Sequence, residues 1–302
     1  MTQLPQTIQI EGIAQNPEGI EYDENDGTFM LGSLNAGPII KIKPDGSYAA
    51  FSSGDPYPLS TAGLEIDYER SRLLVAALNG AELYDGNPET KGTANLRIYN
   101  LETGVLENDI NLSSLVPEAS SYMANDIAVD SEGNVYVTDW FAAVVYKVGT
   151  NLIPSVFWTN ETGIASGGNG IEFHPDGYLL VSLVSVDENG LYANYGLVKV
   201  PLDSPESSSV VEIGSGFTGF DGMLMARSGN VVGVTNDGVA PGGNTLIELA
   251  STDDWGTAEI VNSKSIAPSS TVAITEHNTL HVINQDFTRE AATDWTIERV
   301  DF

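Results

Sequence analysis

An all-β fold, specifically a six-bladed β-propeller of four-stranded blades, is what this 302-residue sequence predicts, on three observations. Short alternating runs such as NVYVTDW and YLLVSLVSV, bounded by Gly, Asn, Asp and Pro, recur throughout, and no long segment carries apolar residues at helical spacing. One phrase recurs six times in degraded form: strand, acidic or glycine turn, strand. The starts of these copies lie 44, 63, 44, 52 and 50 residues apart, which suits four-stranded blades with loops of varying length.

The copies begin at Glu18 (EGIEYDENDGTFMLGS), Ala62 (AGLEIDYERSRLLVAAL), Asn125 (NDIAVDSEGNVYVTDW), Asn169 (NGIEFHPDGYLLVSL), Asp221 (DGMLMARSGNVVGVTN) and Thr271 (TVAITEHNTLHVIN). A further apolar run follows each copy: PIIKIK, NLRIYNL, VVYKV, GLVKVPL, TLIELA and TIERV read as third strands. YAAF, PSVF and SSVVEI read as outer strands. The last copy leaves only TIERVDF before the chain ends, so the N-terminal TIQIEG is expected to supply its outer strand and close the ring, which removes exposed edges. Residues 1–302 are then one propeller domain, although the length alone would also allow two ordinary domains.

Composition excludes several classes. Cysteine is absent, so thiolate metal sites, disulfides and cysteine nucleophiles are ruled out, and any metal must use oxygen or imidazole. Twelve basic against 42 acidic residues give a formal charge of −30, which repels phosphate backbones, so no nucleic-acid partner is expected. No apolar run approaches the roughly 18 residues that span a bilayer, so no membrane insertion is expected. MTQLPQTIQIEG has neither a basic start nor an apolar signal core; this favours a cytoplasmic protein and leaves a secreted mature form open. Oligomeric state is not legible.

The repeat also predicts a site. In each copy the residues before the tight turn form the innermost strand, so the first residues of all six ring one mouth of the central channel, opposite the turns. Round that ring stand Glu18, Ala62, Asn125, Asn169, Asp221 and Thr271. The long insertions Leu78 to Asn95, Ser185 to Tyr195, Asn236 to Asn244 and Asn284 to Asp294 emerge at the same mouth. Two carboxylates and two amides, from Glu18, Asp221, Asn125 and Asn169, form a hard oxygen set suited to one divalent ion, Ca²⁺, Mg²⁺ or Mn²⁺, with Ca²⁺ favoured by ligand type. Asn and Asp also begin strands for local reasons, by satisfying backbone donors. Four at the same phase of six repeats need four such reasons, or one ion.

The segments PEGIEYD, NDIAVDSEGNVYVTD, GNGIEFHPDGYLLVS and FDGMLMARSGNVVGV, in order along nearly the whole chain, resemble the metal-ligand segments of the regucalcin and gluconolactonase family, and nearly as closely those of diisopropyl fluorophosphatase. The resemblance implies a six-bladed propeller with a divalent metal on its axis, Zn²⁺, Mn²⁺ or Mg²⁺ as alternatives to Ca²⁺, its ligands falling on Glu18, Asn125, Asn169 and Asp221. It also implies that Asp221 acts as base toward the attacking water, and that Asn125 contacts substrate or water as much as metal.

Departures narrow the chemistry. Sugar-lactone members carry an Arg two residues before the asparagine of the Asn-Asp segment, where this chain has Met123; with Tyr122, Trp140, Phe217 and Phe220, it points to a more apolar mouth, unless these side chains serve blade packing. The second calcium of the fluorophosphatase is not expected, because Leu224 and the STVAI segment stand at its ligand positions. His174, His277 and His281 fall in or beside the tight turns of the opposite face, and a GxSxG elbow is absent. The reading is a metal-dependent hydrolase of a small-molecule lactone or ester, with Asp221 and Asn125 as its catalytic residues. A phosphotriesterase and a non-enzymatic binding propeller with a structural metal are the competing readings.

Overall fold

In the computed structural model, which describes residues 4–12, 16–79, 92–186, 192–235, 244–284 and 294–302, the alternating runs become 25 strands. The first, β1 (Thr7–Glu11), precedes all the blades. Blade one is β2 (Pro17–Asp23), β3 (Thr28–Ser33), β4 (Ile40–Ile42) and β5 (Tyr48–Ala50). Blade two is β6 (Ser60–Asp67), β7 (Arg72–Leu78), β8 (Ala94–Asn100) and β9 (Leu106–Asn111). Blade three is β10 (Ala124–Val129), β11 (Val135–Asp139), β12 (Val144–Val148) and β13 (Pro154–Thr159). Blade four is β14 (Gly167–His174), β15 (Tyr178–Val186), β16 (Tyr192–Pro201) and β17 (Ser209–Val210).

Strand β18 (Glu212–Ile213) lies outside β22 in blade five, whose other strands are β19 (Met223–Met225), β20 (Val231–Thr235), β21 (Asn244–Ala250) and β22 (Thr257–Ile266). Blade six is β23 (Val272–Ile274), β24 (Leu280–Ile283) and β25 (Asp294–Val300), and β1 pairs antiparallel with β25 as its outer strand. The expected closure by TIQIEG is therefore realised. The run SSVVEI divides: β17 completes blade four, whereas β18 pairs parallel with β22.

Burial follows from the layout. Second strands are covered by a neighbouring blade on each side, so β3 and β11 are buried along their whole length. Fourth strands such as β5 and β22 are largely open to solvent. Each blade-to-blade interface holds its own apolar cluster. Met30 packs with Leu73 between blades one and two, Tyr136 with Leu179 between three and four, and Phe29 with Trp295 between six and one. The inner strands neighbour one another in the cycle β2, β6, β10, β14, β19, β23 and back to β2. Their first residues share one end of the channel and the tight turns share the other.

Candidate active site at the channel mouth

A local irregularity marks the residues that begin five of the six repeats. In β2 the pairing with β3 shifts between Pro17 and Ile20, and the same one-residue excess recurs between Thr61 and Leu64, Ala124 and Ile127, and Gly168 and Ile171. Each bulge holds the first residue of the repeat and the one after it: Glu18–Gly19, Ala62–Gly63, Asn125–Asp126 and Asn169–Gly170. In blade five, Asp221 N–H donates to the Val234 carbonyl while Val234 N–H donates to the Gly222 carbonyl, so two residues again oppose one. A bulge leaves a residue outside the ladder and re-aims its side chain. Four of the five bulges carry the predicted oxygen donors, and all four are buried: Glu18, Asn125, Asn169 and Asp221.

The residue after the donor is glycine for a steric reason. A Cβ on Gly19 would lie 2.1 Å from the Ala62 carbonyl oxygen, and one on Gly170 would lie 2.6 Å from that of Asp221. Each blade thus presses its bulge onto the next. At Asn125 the following residue is Asp126, whose Oδ2 accepts the Ile171 N–H from blade four at 3.1 Å. Hydrogen bonds tie the bulges round the axis. Ser33 N–H donates to Thr61 Oγ1, Thr138 Oγ1 to the Asn169 carbonyl, Ser182 Oγ to the Phe220 carbonyl, Gly222 N–H to the Ser270 carbonyl and Ser270 Oγ to the Glu18 carbonyl.

Beneath this ring the channel narrows to a cavity of about 20 Å³, room for about one water, lined among others by Glu21, Glu65, Asp126 and Glu172. Burial pushes Glu65 up to about 8, helped by the charges of Asp126 and Asp67. Burial likewise raises Asp126 to about 7, against the backbone N–H groups of Ile127 and Ile171 and with the charge of Asp221 adding to it. Glu21 and Glu172 are raised well above the usual range, by burial first and then by neighbouring carboxylates. These acids escaped the sequence reading, yet EGIE, AGLE and NGIE each place a glutamate three residues past the repeat start. That shared phase was the available signal.

Whether the predicted residues suit a cation can be judged from their own chemistry. Asn169 is 3% exposed, and its Oδ1 has no hydrogen-bond partner among the described residues, an expensive state for a buried amide oxygen unless something accepts its lone pairs. With two carboxylates and a second amide at the same level, the donor set fits a hard divalent ion. Among the described residues no three His, Asp or Glu side chains gather to ligate one ion, so the channel acids below do not form such a group.

The aromatic expectation divides. Tyr122 packs between blades two and three, and Phe217 and Phe220 between four and five, so these three serve blade packing. Met123 instead joins Ala62, Leu78 and Trp140 beside the ring, and the half-exposed Phe141 stacks on Trp140 at 5.3 Å. Leu224 is core between blades five and six. His174 and His277 stand at the turns, and His281 is fully buried against Phe29, held near 4 chiefly by burial. Residues 80–91, 187–191, 236–243 and 285–293 of the four long insertions lie outside the described residues.

No protein-family model and no curated protein matches the sequence. Solved structures share its fold. A gluconolactonase from Xanthomonas campestris is 14% identical with a TM-score of 0.60, over 97% of this chain and 89% of that one. Regucalcin from Agrobacterium tumefaciens, described as calcium-binding, is 16% identical with a TM-score of 0.60, over 96% and 92%. A glucose dehydrogenase is 10% identical with a TM-score of 0.63, over 99% and 100%. The chain is therefore a six-bladed propeller with the fold of gluconolactonase and regucalcin, a fold it also shares with sugar dehydrogenases. No helix of the described residues is long and apolar enough to cross a membrane.

Proposed function

We propose that the protein is a divalent-cation-dependent hydrolase of a lactone or related ester. The observation that carries this reading is the repetition of one bulge, with oxygen donors at Glu18, Asn125, Asn169 and Asp221, one of which, Asn169 Oδ1, is buried without a partner among the described residues. Shared fold alone decides nothing here, because the same architecture serves dehydrogenases.

Glu18, Asn169 and Asp221 would hold the ion, calcium by preference, with Asn125 either completing the set or contacting substrate. When bound, the cation supplies a Lewis acid that polarises a carbonyl and acidifies an attacking water. Asp221 accepts the proton of that water. Asn125 orients the substrate through its amide, and Glu18 balances charge. The apolar group of Met123, Trp140 and Phe141 beside the ring favours a substrate with an apolar part over a polyhydroxylated sugar lactone.

The test is turnover of the calcium-loaded protein on lactone, aryl-ester and organophosphate panels, with Asp221→Asn and Asn169→Ala alongside. Asp221→Asn is expected to lower kcat/KM by about 10²-fold or more, in the range of a lost general base. Undiminished turnover in both variants removes the mechanism. Activity confined to organophosphates makes the protein a phosphotriesterase, and calcium binding without turnover on any panel makes it a binding propeller.

A further inference from the structure

Two buried hydroxyls sit where the ring could lose its shape. Thr138, on β11 and fully buried, accepts the N–H of Asp126 at 3.0 Å and donates to the carbonyl of Asn169 at 2.7 Å. One oxygen thus joins the bulge of Asn125 to the bulge of Asn169. Ser270, 1% exposed, links two further bulges, one through its hydroxyl and one through its main chain: its Oγ donates to the Glu18 carbonyl at 3.0 Å, and its own carbonyl accepts Gly222 N–H, next to Asp221, at 2.7 Å. The four donors are therefore held as two pairs, Asn125 with Asn169 and Glu18 with Asp221. In a bulge the backbone has left the ladder, so these bonds replace the strand pairing that would otherwise fix it.

We propose that Thr138 and Ser270 are positioning residues that set the spacing within these two donor pairs, and through it the affinity of the site for a divalent cation. The inference rests on the cation reading above. Neither hydroxyl acts on substrate; each acts through the backbone of a donor, as groups behind metal ligands commonly do. The fold supplies its own control. Thr275, 1% exposed, uses its Oγ1 to accept the N–H groups of His277 and Thr279 at 3.3 and 3.4 Å in the tight turn of blade six, at the end of the channel away from the donors.

The experiment is calorimetric titration of the protein with calcium, using wild type, Thr138→Val, Thr138→Ser, Ser270→Ala and Thr275→Val, each with a thermal melt. Removing an outer-shell partner is expected to weaken affinity about 10- to 100-fold in Thr138→Val and Ser270→Ala. Thr138→Ser, which keeps the hydroxyl, should bind like wild type, and Thr275→Val should lose thermal stability while keeping wild-type affinity. Wild-type affinity in both Thr138→Val and Ser270→Ala overturns the proposal and leaves the cation reading standing. Equal weakening in Thr275→Val also overturns it, because the effect would then be general loosening. Failure of the wild type itself to bind calcium removes the cation reading and the proposal together. If Thr138→Val does not fold, Ser270→Ala carries the decision.

Discussion

Glu21, Glu65 and Glu172 line the channel at the same phase of three repeats, with Asp126 among them, and each sits where ionisation is opposed first by burial and then by the other carboxylates. The sign of the consequence follows from Glu65, whose folded value of about 8 lies above its ordinary 4.5. The folded chain holds this proton more tightly than the unfolded chain, so the associated stability is present in full below about 4.5 and is lost as pH rises through about 8. Glu65→Gln, which is neutral throughout, is expected to shrink the loss of stability between pH 5 and 8.5, read as urea midpoints at three pH values. A variant that loses as much stability as wild type over that range would show Glu65 to be solvated and ordinary.

At the scale of the element, the inner strand is a compromise between ladder and axis. Its second half pairs regularly with the next strand, while its first residues leave the ladder in five blades so that the bulges can meet. Close approach demands glycine, and Gly170 is the informative case: an added methyl would meet the Asp221 carbonyl at 2.6 Å and Met223 Cγ at 3.0 Å. Gly170→Ala is expected to cost about 1–3 kcal/mol, as overpacking does. It should also weaken calcium binding, because the displaced group belongs to Asp221. Urea unfolding and calcium titration read the two effects separately, and a variant as stable as wild type would show that blades four and five are not locked there.

For the whole molecule, closure is the decisive feature. β1 brings Ile8 and Ile10, 1% and 0% exposed, into the interface of blades six and one, against Phe29, Trp295 and Ile297. The first and last strands therefore share one sheet, and every blade has two neighbours. Ile10→Ala is expected to cost about 2–5 kcal/mol, the range for truncating a buried aliphatic side chain, with unfolding still a single transition. Separate melting of β1, seen as an early loss of Trp295 fluorescence change before the main transition, would mean that closure is peripheral to stability.

Several features were determined by the sequence by itself because they repeat. Blade number, the third strands and closure by TIQIEG follow from six copies of one phrase and a shortage of strand at the end of the last. The common phase of Glu18, Asn125, Asn169 and Asp221 is read the same way. Only the tertiary structure decided what depends on neighbours in space. That Tyr122, Phe217 and Phe220 are packing while Met123 and Trp140 stand beside the ring is invisible in one dimension, since an aromatic near a strand end serves either role. The division of SSVVEI between two blades, the bulges and the clamps at Thr138 and Ser270 likewise arise from contacts between residues far apart in the chain. Periodicity fixes which strand faces the axis, but the distance between two blades fixes what their residues can hold.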